Sequence, residues 1–216
     1  MTETLSLRAK IEQSPMGAYQ WMIVVMAAIM NLLDGFDVLA LAFTATAIRG
    51  EFGLTGIELG YLLSAGLFGM TAGSLFLAPL ADKIGRRPLL LMAVSLSAIG
   101  MLGSAFISQY QWLGFWRVIT GLGVGGILVG TNVITSEYSS RKWRSFAISV
   151  YAAGFGIGAV LGGMFAVMLQ GEYGWRSVFL AGAILTSLLL VVLFIWLPES
   201  IDFLTSKQPK NAEVRL

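Results

Sequence analysis

Three polar residues interrupt the first long apolar run of the chain. Asn31, Asp34 and Asp37 follow one another at three-residue intervals inside the run 21–48. In a helix this spacing places the three side chains on about one face. An ionisable group at membrane depth is energetically costly and usually functional. Two carboxylates this close repel each other when both are ionised, so we expect the pair to hold a proton.

A polar stripe in a membrane helix can also be structural, because polar side chains form hydrogen bonds between neighbouring helices. For Asn31 taken alone, this structural interpretation is favoured. For Asp34 and Asp37, which lie on the same helix face, a role in carrying charge is favoured instead.

Arg117 is the basic residue that falls inside an apolar run, five residues after Trp112. At a rise of about 1.5 Å per residue, it lies about 8 Å from the outer end of its span. By the same arithmetic Asp34 lies roughly 10 Å from the outer surface of a core about 30 Å thick. We therefore expect one polar cavity between the first and fourth helices. The alternative is a salt bridge that only neutralises these charges.

The composition identifies the class of protein that must position these residues. Hydrophobic residues make up 56% of the chain and charged residues only 12%, against roughly a quarter charged in soluble domains. This is typical of an integral membrane protein. Cys and His are both absent, which excludes disulfides, thiol or His-based catalysis and the common zinc sites. We expect a protein that is not an enzyme and holds no metal. The small net charge of +2 gives no reason to expect nucleic acid as a partner.

Six apolar runs have about the length needed to cross a bilayer, and the sequence predicts an all-α six-helix bundle. The predicted spans are 21–48, 60–80, 88–107, 112–134, 146–169 and 178–197. Residues 1–20 are predicted to be a cytoplasmic amino-terminal segment, 21–197 the bundle, and 198–216 a cytoplasmic tail that begins a central loop.

The basic residues predict the orientation of the bundle, because cytoplasmic loops are enriched in Lys and Arg. The opposite side holds only Arg49 and Arg176. We therefore expect a multi-pass protein of the plasma or inner membrane with both termini in the cytoplasm. The eleven of fourteen basic residues on the predicted cytoplasmic side are Arg8, Lys10, Lys83, Arg86, Arg87, Arg141, Lys142, Arg144, Lys207, Lys210 and Arg215.

Glycines recur at helical spacing in three of the spans, where small residues allow helices to approach closely. Buried charges lie in the first and fourth spans, whereas the third and sixth are more uniformly apolar. The spans thus form two units of three, and the odd number inverts the second unit in the membrane, as in many transporters. The glycines are Gly66, Gly69 and Gly73 in the second span, Gly121, Gly125 and Gly126 in the fourth, and Gly154, Gly158 and Gly162 in the fifth.

The segment 80–87, LADKIGRR, resembles the cytoplasmic loop signature of the major facilitator superfamily. That signature is a glycine, three residues, and then D-R/K-x-G-R-R/K; here Ala78 stands in place of the first glycine. Arg117 with Gly121 and Gly125 resembles the fourth-helix R-x-x-x-G pattern of the same superfamily, and Trp175-Arg176 opens the sixth span as it often does there. The resemblance implies half of a twelve-helix fold.

Within the superfamily, the DGFD of residues 34–37 and the LPES of 197–200 resemble the aromatic acid:proton symporters. The resemblance implies proton coupling by Asp34 and Asp37 and a need for Arg117 and Glu137 in transport. Ala159 stands where the related antiporter pattern has proline, which favours symport. Residues expected to contact substrate are Arg117, Asn31, Phe36 and Tyr151; a cytoplasmic gating loop is expected from Asp82, Gly85, Arg86, Arg87 and Glu137, unless these charges only fix the topology.

The expected partners follow from this resemblance. They are a small aromatic carboxylate as substrate, the lipid bilayer, protons as the coupling ion with no other cofactor, and a second six-helix half. The second half is expected because alternating access requires two bundles that move against each other. Two alternatives stay open: a symporter of protons with a sugar or another metabolite, and a six-helix partner or scaffold subunit that transports nothing.

Overall fold

The computed structural model describes residues 15–207, and its regular elements are helices. Residues 1–14 and 208–216, and with them Arg8, Lys10, Lys210 and Arg215, lie outside the described residues. The first six helices are long and apolar enough to cross a membrane, which confirms the predicted all-α bundle. The helices are α1 (Ala18–Phe52), α2 (Gly56–Ile84), α3 (Arg86–Ala105), α4 (Tyr110–Tyr138), α5 (Arg144–Tyr173), α6 (Arg176–Trp196) and α7 (Ile201–Lys207).

Several helices extend beyond the apolar runs that predicted them. The first continues from the predicted limit of residue 48 to Phe52. Gly53 ends it with a left-handed backbone at φ 63°, and Thr55 begins α2 by accepting a hydrogen bond from the Glu58 N–H. The length of an apolar run reflects the thickness of the hydrocarbon layer. A helix can continue beyond that layer and ends where its terminal backbone groups are capped. The short helix α7 lies in the predicted tail.

Several glycines of α2 and α5 are packed directly against a partner helix, and Gly69, Gly73 and Gly158 among them face its main chain. A Cβ at Gly69 would collide with Val118, and a Cβ at Gly158 would collide in the same way with Leu32. One turn further on, Gly73 meets Leu122 and Gly162 meets Phe36. The pair α2 and α4 is thus docked like the pair α5 and α1, as expected from the predicted repeat.

This shared register relates the polar residues of α1 to those of α4. Val118 faces Gly69 in one pair, and Leu32 faces Gly158 in the other. The residues just before them, Arg117 and Asn31, therefore occupy equivalent positions in the two repeats. By the same count Thr120 matches Asp34, and Gly123 matches Asp37.

The polar residues of α1 lie between two hydrophobic clusters. One cluster includes Ile23, Met26 and Met30 with residues of α3 and α4. The other begins at Phe36 and continues through Leu41 toward the opposite end of the bundle. The helices α3 and α6 pack against α4, α1 and each other. The polar stretch 31–37 is therefore enclosed by protein near the middle of the bundle.

Candidate functional site

The three polar residues of α1 are almost completely enclosed. Asn31 is 3%, Asp34 2% and Asp37 1% exposed. The Asn31 amide donates a hydrogen bond of 2.8 Å to the Tyr151 carbonyl oxygen on α5, a contact between helices of the kind that stabilises membrane bundles. Its Oδ1 has no hydrogen-bond partner within residues 15–207.

The two aspartates have different surroundings. Asp37 Oδ2 accepts a hydrogen bond of 2.7 Å from the hydroxyl of Ser97, a fully buried residue of α3. Asp37 Oδ1 and Asp34 Oδ2 are buried and have no partner among the described residues. Ser97 was not predicted from the sequence, because it lies in the third span, which is largely apolar. A serine in the middle of an apolar run was the available signal.

Arg117 lies beside Asp37 but is bound to main-chain oxygens. Its Nη2 donates to the carbonyl oxygens of Asp37 at 2.8 Å and Val38 at 3.3 Å, and Nη1 lies 3.6 Å from Met101 Sδ. The guanidinium also lies 6.0 Å from the centre of the Phe179 ring. These contacts place the arginine in the same layer of the bundle as Asp37.

The alternative of a neutralising salt bridge is not what the structure has. Within the described part of the chain, no carboxylate oxygen approaches the Arg117 guanidinium within 4.0 Å, and its Nε has no hydrogen-bond partner. The residue is only 3% exposed. A buried cation whose partners are mainly carbonyl dipoles keeps most of its charge available to an anion.

A cavity of about 120 Å³ lies next to Arg117 between α1, α2 and α4. Its wall is mostly aliphatic. Gly66 faces the guanidinium and keeps this part of the cavity open, because a Cβ at Gly66 would lie 3.4 Å from Arg117 Nη2. A cavity thus lies between the first and fourth helices, but it is not the shared polar cavity expected from sequence, because its wall is mostly aliphatic and Asp34 and Asp37 lie outside it. The lining residues are Val38, Leu39, Leu41, Ala42, Leu63, Gly66, Leu67, Met70, Arg117, Thr120, Gly121 and Val124.

Phe36 and Tyr151, the aromatic candidates for substrate contact, are both buried away from this cavity. Phe36 packs against Gly162 and Gly182. The Tyr151 hydroxyl lies 3.2 Å from the Thr131 hydroxyl. Their contact with a substrate stays a prediction.

The predicted gating loop between α2 and α3 is bound by a carboxylate that the sequence analysis did not single out. Glu199 Oε1 accepts hydrogen bonds from the backbone N–H groups of Arg86 at 2.7 Å and Arg87 at 3.0 Å. Gly85 has φ 101°, and a Cβ there would meet the Glu199 carboxylate. Asp82 pairs with Arg86 at 3.0 Å on the surface. The Pro-Glu-Ser exit from the sixth span was the signal for Glu199.

Glu137 was proposed from sequence as the partner of this loop. In the hydrogen bonds that the structure describes, it binds the segment that begins α7 instead. Its carboxylate accepts hydrogen bonds from the Ser200 hydroxyl, at 2.7 and 2.9 Å, and from the Ile201 N–H at 2.9 Å. It therefore joins the carboxyl-terminal end of α4 to the start of α7. Glu137 and Glu199 bind neighbouring parts of the same end of the bundle.

The comparisons with known proteins agree with this architecture. The sequence pattern of the Major Facilitator Superfamily matches residues 27–213. A gallate transporter of Pseudomonas putida is 36% identical over 204 residues, which are 94% of this chain and 45% of that protein. The 4-hydroxybenzoate transporter PcaK of the same organism is 34% identical over 213 residues, 99% of this chain and 48% of PcaK.

Solved structures show the same fold. The proton:xylose symporter XylE, bound to 6-bromo-6-deoxy-D-glucose, superposes with a TM-score of 0.82 at 23% identity and covers 91% of this chain and 49% of XylE. A bacterial homolog of the human lysosomal transporter Spinster gives a TM-score of 0.77 at 20% identity, with 86% and 44% covered. The chain spans about half the length of the curated relatives it matches.

Proposed function

The chain belongs to the major facilitator superfamily, and on that premise we propose that it is the amino-terminal half of a proton-coupled importer of aromatic carboxylates. It is a multi-pass membrane protein with six spanning helices in the described residues. Its relatives include transporters named for gallate and 4-hydroxybenzoate. The substrate class, the coupling ion and the orientation with both termini in the cytoplasm belong to the proposal.

The observation that carries this proposal is the Arg117 guanidinium in the wall of an otherwise mostly aliphatic cavity. A cation suits a carboxylate, and aliphatic walls suit an uncharged ring. The cavity measures about 120 Å³, somewhat less than the roughly 150 Å³ of a cavity that holds benzene, so a ring would fill it completely or extend beyond it. The pairing of one cation with aliphatic walls supports a carboxylate that carries an apolar group.

Proton coupling follows from the balance of charges in the same layer. Asp34 and Asp37 carry two carboxylates and Arg117 a single cation, so one proton is the simplest way to balance the unliganded site. An incoming carboxylate competes for Arg117 and removes its support from the aspartates. Proton and substrate should therefore bind with positive coupling, which is the requirement for symport.

The second half belongs to the proposal because of how transporters of this fold work. Substrate lies between two bundles that rock against each other about the site. A single six-helix bundle supplies one wall. We propose that this chain, inserted in the plasma or inner membrane, acts together with a second six-helix bundle.

Uptake of labelled 4-hydroxybenzoate into proteoliposomes tests the proposal. The vesicles carry this chain alone, or this chain with the carboxyl-terminal half of PcaK, and an inward proton gradient is imposed. We expect accumulation in the second arrangement that collapses when a protonophore is added. Labelled xylose serves as the neutral comparison substrate. Uptake of xylose that persists in Arg117→Ala would support the sugar symporter instead, and failure of every substrate would support a scaffold subunit.

A further inference from the structure

The two carboxylates of α1 differ in a way that separates their roles. Asp37 has a hydroxyl donor from Ser97 at 2.7 Å, and its own carbonyl oxygen binds Arg117. Asp34 is equally enclosed, at 2% exposure, yet its Oδ2 has no partner among residues 15–207. An ionised carboxylate enclosed by protein is stable only with donors or a counter-charge. One oxygen of Asp37 has a hydrogen-bond donor, and the Arg117 cation lies nearby. Within residues 15–207, neither a donor nor a cation forms a hydrogen bond with the Asp34 carboxylate.

Ser97 reaches Asp37 because α3 can approach the centre of the bundle closely. A Cβ at Gly123 of α4 would collide with the Ala93 carbonyl and the Ser97 backbone N–H. Gly100 of α3 is packed in the same way on Thr120. The absence of side chains at these two positions brings the Ser97 hydroxyl past α4 to α1.

We propose that Ser97 is a positioning residue that keeps Asp37 ionised and outside ion-pair distance of Arg117, and that Asp34 is the carboxyl group that exchanges the proton. The assignment of these groups to transport rests on the proposed function. The protonated state of Asp34 and the ionised state of Asp37 do not depend on the proposed function, since they are inferred from the local contacts alone. In this arrangement Arg117 stays available to a substrate carboxylate while Asp37 supplies a nearby fixed negative charge.

The ionisable groups around Asp34 come from three helices. Asp37 on its own helix and Tyr151 on α5 interact electrostatically with Asp34, and Arg117 of α4 contacts the main chain of Asp37. The membrane-embedded parts of α3 and α6 contribute hydroxyl groups, among them Ser97 and Thr186, and no charged residue. The cation that these helices place in the layer, Arg117, is bound to the main chain of Asp37.

Infrared spectroscopy of the purified chain in lipid nanodiscs tests the protonation states without any transport. At neutral pH the carbonyl stretch of a protonated carboxyl group should be lost in Asp34→Asn and retained in Asp37→Asn. The band should grow in Ser97→Ala, because Asp37 then loses the donor that favours its ionised form. A band lost in Asp37→Asn and kept in Asp34→Asn would reverse the assignment, and a band unchanged in both would refute it.

Ser104→Ala is the matched control for Ser97→Ala. Ser104 is also fully buried in α3, but its hydroxyl donates to the Gly100 carbonyl of its own helix. Its loss should leave the carboxyl band unchanged. If Ser97→Ala fails to insert in the membrane, the comparison of the two asparagine variants still decides between Asp34 and Asp37.

A double-mutant cycle on substrate exchange, in the assembly with a second half, tests the positioning role. Ser97→Ala should raise the KM for exchange on the order of tenfold, the loss expected of one hydrogen bond to a charged group, while the maximal rate changes little. The same substitution should have no further effect in Asp37→Asn and its full effect in Asp34→Asn. A full effect of Ser97→Ala in the Asp37→Asn background would overturn the role. If no substrate is exchanged at all, the proposed function fails and the infrared result still stands.

Discussion

At the scale of single residues, the unusual feature is a buried arginine bound to backbone oxygens. Carbonyl dipoles at 2.8 and 3.3 Å stabilise the Arg117 guanidinium without cancelling its charge. An ion pair with Asp37 would have closed the site to an incoming anion. Because a buried charge without a counter-ion is costly, this arrangement is more typical of a ligand site than of a structural contact.

Arg117→Ala should therefore abolish substrate binding. Truncating one partner of a buried charge pair costs about 2–5 kcal/mol, which corresponds to about 30-fold weaker binding or more. Arg117→Lys should also bind weakly, because an ammonium group lacks the planar fork of the guanidinium. Equilibrium binding of labelled 4-hydroxybenzoate to membranes measures both. Arg49→Ala is the control, since Arg49 binds the Leu54 carbonyl at the carboxyl-terminal end of α1. Unchanged affinity in Arg117→Ala would exclude the cavity as the carboxylate site.

Filling the cavity should weaken binding without touching any charge. A Cβ at Gly66 lies 3.4 Å from Arg117 Nη2, so Gly66→Ala takes space that a ring needs. We expect the dissociation constant to rise several-fold, since one methyl group in a pocket is worth about 1–3 kcal/mol. Gly60→Ala on the same helix is the matched control, because nothing lies within 4 Å of its Cβ position. Equal affinities of the two variants would place the ring elsewhere.

At the scale of helices, two glycine-lined pairs hold the site in register. The contacts of α5 with α1 and of α2 with α4 repeat with the same spacing, at Gly158 and Gly162 in one pair and Gly69 and Gly73 in the other. In lipid, close backbone approach rather than hydrophobic burial drives such packing. If the two helices of either pair slid past each other, Asn31 or Arg117 would move away from the groups that it binds on neighbouring helices.

Gly158→Ala should destabilise the bundle while Gly156→Ala should not. A Cβ at Gly158 would meet the Leu32 carbonyl, whereas nothing lies within 4 Å of the Gly156 position on the same helix. Overpacking of this kind costs about 1–3 kcal/mol. Thermal unfolding of the purified chain in detergent should show a lower midpoint for Gly158→Ala and an equal or higher one for Gly156→Ala. Similar midpoints for the two variants would mean that α1 and α5 do not pack at this distance in the membrane.

Asp82→Asn tests whether the loop between α2 and α3 is a conformational latch. Its pair with Arg86 is one helical turn apart, with the Asp82 side chain 70% exposed, and exposed pairs of this kind contribute about 0.3–0.5 kcal/mol. Membrane insertion and unfolding temperature should therefore stay unchanged while uptake is abolished. Glu172→Gln, at the opposite end of the bundle, is the control. Normal uptake in Asp82→Asn would leave these charges with the role of fixing topology.

At the scale of the whole molecule, the orientation in the membrane is the property to test. In the described residues, six basic side chains lie at or beside the connections between α2 and α3 and between α4 and α5, against Arg49 and Arg176 at the other end of the bundle. Reporter fusions after Arg144 and Leu216 should read cytoplasmic, and a fusion after Gly171 should read external. An external reading at Leu216 would contradict the arrangement of six spans.

The sequence alone determined the class of protein, the number of spans and the polar layer. Bilayer thickness sets the length of apolar run that a span needs, so composition and run length were enough to predict six helices. The rise of a helix is constant, so residue counting placed Arg117 level with Asp34 and Asp37. Buried charge is rare enough in such helices that Asp34, Asp37 and Arg117 could be selected without any contact being known.

Only the tertiary structure decided which groups these residues contact. The approach of α3 at Gly123 brings Ser97 to Asp37, and the docking of α1 on α4 gives Arg117 the carbonyls of Asp37 and Val38 instead of a carboxylate. At the end of the bundle where α4 ends, Glu199 rather than Glu137 binds the start of α3. Hydropathy gives the depth of a residue in the bilayer but not the rotation of its helix or the identity of its neighbour. Both are set by the close packing of helix backbones, and that information is distributed over several helices.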